Sequence, residues 1–204
     1  MRFTLFRIAV FVLSLAPFLW LGWDTYNADL GTDPVQQITH RTGDWALRFL
    51  LITLAVTPLR RLSGWNELIK LRRMLGLYAF FYASMHLSTY LVLDLGGFWS
   101  QIFADIVKRP FITVGFLAWL LMLPLALTST KGMMRRLGRR WQVLHRLVYV
   151  CAGLAVLHFI WLVKADLVEP LIYLGCLLVL LAFRLYWQLK PRVAIMARAS
   201  HKPL

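Results

Sequence analysis

Six apolar stretches, at about 5–23, 43–59, 75–95, 111–127, 141–163 and 167–189, take up most of the 204-residue chain. A helix that crosses a bilayer needs about 20 predominantly apolar residues; four of the six meet that length and 111–127 comes close to it. The second has an unbroken apolar core of only about 15 residues, Trp45–Leu59, and carries Arg48; it becomes a span if Thr42–Ala46 extends it outward and Arg48 reaches back to the nearer interface. The apolar fraction of 60% exceeds the 45–50% of soluble domains, which excludes a water-soluble enzyme of this size. The 9 Trp, 13 Phe and 7 Tyr supply too much burial for a disordered chain. The expected fold is an all-α integral membrane protein, one domain over residues 1–204 with six transmembrane helices. The first run follows Arg2 and Arg7 without a small-x-small cleavage site near Gly22–Asn27, so it reads as a retained signal-anchor helix.

Charge then sets the topology. The formal net charge is +14, but the basic residues are not scattered. Eighteen of the 23 precede or open the first span, or lie in 60–73, in 131–146, or from Arg184 onward. Arg41, Arg48, Lys108, Arg109 and Lys164 are left for the other side, together with every acid except Glu67. By the positive-inside rule both termini are cytoplasmic after six crossings. The basic excess is therefore a topology signal and implies contact with lipid head groups rather than nucleic acid. Connections are short, the largest running from Asp24 to Asp44, and neither GxGxxG nor GxxxxGK[ST] occurs, so no nicotinamide-binding domain is expected. No internal repeat is evident, and Pro17 and Pro124 fall within spans. Cys151 and Cys176 lie in apolar runs without a paired CxxC or CxxCH, and read as buried small residues.

Three of the five histidines lie inside spans: His86 in the third, His145 and His158 in the fifth. Ionisable residues at membrane depth are rare and usually functional. The third and fifth spans run in the same direction. At 1.5 Å per residue, His86 and His158 reach a similar depth in the outer half of the bilayer, while His145 stays near the inner interface. Two imidazoles facing each other between helices suit a b-type haem: each neutral ring offers Nε2 to iron while Nδ1–H is held by a neighbour. A four-helix core would enclose the macrocycle. The third span is aromatic and small over Tyr78–Ser84, Gly153 and Ala155 leave room on the fifth, and Ser84 and Ser88 are candidates to support His86. Zinc suits the pattern less, because no third ligand lies at that depth.

His145 and His158 are 13 residues apart, which leaves them roughly 140° apart around a straight helix. Either the helix is distorted near Gly153 or the rings address different slots. An inner haem would need a partner near Arg73, where Arg72 and Arg73 stand and neither ligates iron. His40, beside Arg41, falls in the first outer loop as a surface histidine or a quinone or propionate contact. Trp20, Trp23, Trp99, Trp119 and Trp161 read as packing or interface-belt residues, and His201 as part of a solvated tail.

Several stretches then resemble a known family: PFLWLGW at Pro17–Trp23, TGDWALRFLLITLAVTPLRR at Thr42–Arg61, RRMLGLYAFFYASMHLSTY at Arg72–Tyr90, RPFITVGFLAWLLMLPLALTST at Arg109–Thr130, LGRRWQVLHRLVYVCAGLAVLHFIW at Leu137–Trp161 and PLIY at Pro170–Tyr173. The chain is similar to the haem-binding membrane subunits of bacterial periplasmic protein-methionine-sulfoxide reductase systems, among the ferric reductase-like transmembrane proteins. That resemblance implies an inner-membrane electron-transfer subunit rather than the catalytic one. It would pass electrons from quinone or a cytoplasmic flavin reductase to a periplasmic molybdenum-containing reductase that repairs oxidised methionines. Haem b is the implied cofactor, with FMN also attributed to the family; by its pattern His86 and His158 match the outer haem ligands and His145 the inner histidine. Relative to the wider oxidase group, the third span lacks an inner histidine, which leaves a second haem open. A proton- or ion-conducting protein with a histidine relay and no haem is the competing reading.

Overall fold

The computed structural model describes the backbone of residues 2–163 and 166–200, and the side chains of these except Arg2, 99–103 and 191–200. Expectations for Lys164, the Trp99 side chain, Arg192, Arg198, His201 and Lys202 fall outside that description. The described residues are all helical apart from short connections. The long helices are α1 (Arg2–Tyr26), α2 (Pro34–Ser63), α3 (Arg72–Thr89), then, after the short α4 (Trp99–Lys108), α5 (Pro110–Leu127). Two short helices follow, α6 (Lys131–Leu137) and α7 (Arg139–Leu144), before α8 (Leu147–Leu162) and α9 (Val168–Ser200). Four stretches are long and apolar enough to cross a membrane: Phe3–Tyr26, Pro110–Leu127, Arg139–Leu162 and Val168–Lys190. The α2 and α3 regions, also expected as spans, fall outside those four.

Local chemistry sets the ends of α2. Asp33 accepts from the Gln36 N–H at 2.9 Å and Pro34 occupies the first turn, where its missing donor costs nothing. Gly64 ends the helix in the left-handed region at φ 71°. This early start places His40 inside a helix rather than in a loop. α3 continues into a wider π-helical turn over Tyr90–Asp94. The chain between α7 and α8 departs from the helix at His145 and Arg146. The distortion thus falls at His145 itself and not near Gly153.

The bundle is built of two tight pairs, α2 against α3 and α5 against α8, joined face to face, with α9 along α2 and α8. Ala79, Tyr82, Cys151, Ala152 and Val156 lie at its fully buried centre. α1 leans on α3 through tyrosine hydroxyls. Tyr78 donates to the Phe11 carbonyl at 3.0 Å. The Tyr82 hydroxyl receives the Phe18 N–H at 3.1 Å and donates to the Ser14 carbonyl at 2.8 Å, standing within the hydrogen-bond ladder of α1 beside Pro17. These aromatic residues therefore serve α1 packing; of the Tyr78–Ser84 group, only Ala83 faces the cavity described below. Cys151 is buried as expected, whereas Cys176 lies on the outward face of α9.

Candidate functional site

α2, α3, α5 and α8 enclose a cavity of about 470 Å³ whose walls are mostly apolar, within the size range of small-ligand and cofactor sites. His86 enters it from α3 and His158 from α8. Each imidazole is fixed on its outer side by a main-chain carbonyl of the neighbouring helix. His86 Nδ1 lies 2.8 Å from the Thr39 oxygen on α2, and His158 Nδ1 lies 2.7 Å from the Phe111 oxygen on α5. A carbonyl only accepts, so each Nδ1 carries the proton and donates, which leaves each Nε2 with a free lone pair.

The two ring centres are 6.1 Å apart with planes crossed at 74°. Bonds of about 2.0–2.1 Å from metal to imidazole nitrogen, with roughly 1.2 Å from that nitrogen to the ring centre, put two imidazoles that share a metal ion about 6.5 Å apart. The observed separation is close to that, so His86 and His158 would be the residues to hold such an ion, within an apolar cavity. Among the described residues no group of three His, Cys, Asp or Glu side chains is placed to hold an ion, so the donor set suits a porphyrin-borne metal better than a zinc site.

The lining has an internal order that reading along the chain did not reveal. Adding 72 to a residue number carries His86 onto His158, Thr39 onto Phe111, Gly43 onto Gly115, Ala46 onto Ala118 and Ala83 onto Ala155. Twenty-two of the 26 lining residues fall into such pairs. The expectation of no repeat is therefore corrected: the α2–α3 and α5–α8 pairs are two copies of one geometry, and their lining side chains are identical only at small residues and the histidines. The α2–α3 copy is the more polar, with His40, Asp44 and Tyr90 standing where the other has Ile112, Phe116 and Leu162. Exposed His40 and Arg109 line the cavity's outer rim, where Arg109 Nε is 3.6 Å from Asp105.

Several expected supports lie elsewhere. Ser84 accepts from the Trp119 indole at 3.0 Å and does not hold His86. Trp119 itself lines the cavity rather than the membrane interface, unlike exposed Trp20, Trp23 and Trp161. Ala155 faces the cavity, but Gly153 points away from it. Arg48 does not simply reach for the interface: it donates to the Tyr173 hydroxyl at 2.8 Å and lies 3.7 Å from Asp44 and 3.9 Å from Glu169, with its guanidinium over Trp45. His145 is separate from the cavity. Its ring stacks on Trp141 at 3.8 Å, Nδ1 is 3.1 Å from the Trp141 carbonyl, and Nε2 is buried without a hydrogen-bond partner.

Residues 42–168, which carry nearly all of this site, match the family model described as ferric reductase like transmembrane component. The chain is 58% identical over 203 residues to the protein-methionine-sulfoxide reductase heme-binding subunit MsrQ of Xanthomonas euvesicatoria pv. vesicatoria (strain 85-10), covering 97% of this chain and 93% of that relative. To the protein of the same name from Herminiimonas arsenicoxydans it is 51% identical over 194 residues, covering 94% and 89%. No solved structure matches it. With a family match over more than half its length and relatives this similar from end to end, the chain belongs to the MsrQ heme-binding subunits of the ferric reductase like transmembrane family.

Proposed function

We propose that the protein is a b-type haem electron carrier of the bacterial inner membrane, passing electrons from quinone or a cytoplasmic flavin reductase to a periplasmic molybdenum-containing methionine-sulfoxide reductase. The observation that carries this reading is the pair of imidazoles 6.1 Å apart across an apolar cavity, each held at Nδ1 by a backbone carbonyl. In this reading His86 and His158 hold the iron of one haem, and the bound haem supplies a one-electron couple. The helices exclude water from it, and the carbonyls keep both ligands neutral and in one tautomer.

The topology proposed with it has six crossings, with α2 and α3 as the two beyond the four plainly apolar ones, and both termini in the cytoplasm. The basic residues of 60–73 and 131–146 support that orientation. Haem in the outer half is then placed to deliver electrons outward. His145 is the inner candidate ligand, with the buried unpartnered Nε2 as its support; it does not share the cavity of the other two. FMN belongs to the proposal through the family alone, with no residues assigned to it.

A reduced-minus-oxidised spectrum of the purified chain, with haem quantified per polypeptide, tests the reading. A b-type α band at one haem per chain is expected. Absence of that band after haem-replete expression overturns it, and proton flux into liposomes by the haem-free chain would favour the histidine-relay alternative.

A further inference from the structure

Each histidine of the pair presses against a glycine. A Cβ added at Gly115 would stand 2.8 Å from His158 Nδ1, 2.9 Å from Cε1 and 3.1 Å from Cγ; one added at Gly43 would stand 3.0 Å from His86 Nδ1, 3.1 Å from Cε1 and 3.7 Å from Cγ. None of the other ten glycines meets a histidine. Gly153, Gly22 and Gly175 have open space at that point, and Gly76 meets only a Thr53 methyl at an ordinary 3.6 Å.

The place of the two glycines along their helices explains the contact. Gly43 lies four residues beyond Thr39, and Gly115 four beyond Phe111. In an α-helix the Cα–Cβ bond leans toward the N-terminus, so the side chain at i+4 overhangs the carbonyl of residue i. Without that side chain the carbonyl keeps its own helical bond and still presents its second lone pair to the neighbouring helix. The imidazole N–H of His86 or His158 takes that lone pair.

We propose that Gly43 and Gly115 are positioning residues for the iron ligands: each bares the carbonyl four residues before it, so that the facing imidazole is held by Nδ1 and turns Nε2 to the metal. The inference rests on the haem reading above. It explains why the repeat preserves a glycine at both places while the residues that supply the carbonyls, threonine and phenylalanine, differ. Only the main chain of those residues is used.

The test is the spectrum and haem retention of Gly115→Ala and Gly43→Ala in the full-length purified chain, with Gly153→Ala and Gly76→Ala beside them. Gly115→Ala is expected to lose the low-spin signature and to hold haem about 10-fold or more weakly, the scale set by loss of an outer-shell support. Gly43→Ala, with the looser contact, changes the same way by a few-fold, and the other two keep the wild-type spectrum. A second arm uses His158→Gly refilled with free imidazole, where adding Gly115→Ala is expected to cost less than it does alone. A wild-type spectrum in both Gly115→Ala and Gly43→Ala overturns the proposal, as does an undiminished loss in the imidazole-filled background. A wild-type chain that binds no haem overturns instead the reading on which it rests.

Discussion

The cavity end and the His145 end of the core are built from the same two helix pairs, yet only the cavity end brings two imidazoles together. At the cavity end the 72-residue correspondence sets histidine against histidine, each held by a main-chain carbonyl and facing the other. At the other end it sets His145 against exposed Arg73. His145 there lies where α7 gives way to α8, stacked on Trp141 with Nε2 unpartnered. The two ends differ in that the cavity end keeps, in both copies, a histidine and the glycine packed against it, and the other end keeps neither pair. A histidine retained in one copy is left with a buried nitrogen and no counterpart.

The sharpest way to break this comparison is to remove an outer ligand. His86→Ala and His158→Ala are each expected to abolish the low-spin haem signal while the chain still elutes as a folded species; a wild-type difference spectrum in both would show the ligands lie elsewhere. Next come the centres of the two pairs. Ala79 and Cys151 are related by the same 72-residue step and both are wholly buried. Ala79→Val and Cys151→Val should therefore each cost about 1–3 kcal/mol by overpacking, read as lowered thermal midpoints in detergent, whereas Cys176→Val on the outward face should cost nothing measurable. Arg48→Ala removes a link between α2 and α9 that has no equivalent on α5, where Leu120 takes its place. A loss of about 1 kcal/mol is expected, between that of an exposed ion pair and a hydrogen bond to a charged group, with the haem spectrum unchanged. The smallest effect belongs to the inner end: His145→Ala should keep the outer low-spin signal and the ratio of one haem per chain. A fall in that ratio from two to one would place a second haem there.

The membrane-bound, all-helical character and the pairing of His86 with His158 were legible because both rest on long-range regularities: runs of apolar residues, and depth counted along helices of known rise. Which neighbours serve the histidines was not. Ser84 and Ser88 are polar and close in sequence to His86, but the bond goes to a main-chain carbonyl 47 residues away, and carbonyls leave no mark in composition. The aromatic run of α3 pointed to the cavity because large rings often line cofactor sites, yet Tyr78 and Tyr82 turn to α1. The repeat was hidden because apolar residues of different size and shape can serve the same place in a helix pair, so Leu47 corresponds to Trp119 and Leu50 to Met122. The legible traces were small residues at fixed steps before each histidine, a glycine 43 positions ahead and alanines 40 and 3 positions ahead.

The insertion of Tyr82 into the ladder of α1 bears on how the first and third helices are held in register. Proline at 17 brings no amide hydrogen, and one turn of the first helix relies on a phenol borrowed from the third. Hydrocarbon offers no substitute for such a partner. A slide of one helix past the other would strand the Phe18 amide, so the phenol latches the two at a single height. His86, one turn further along the third helix, has its level set by the same latch.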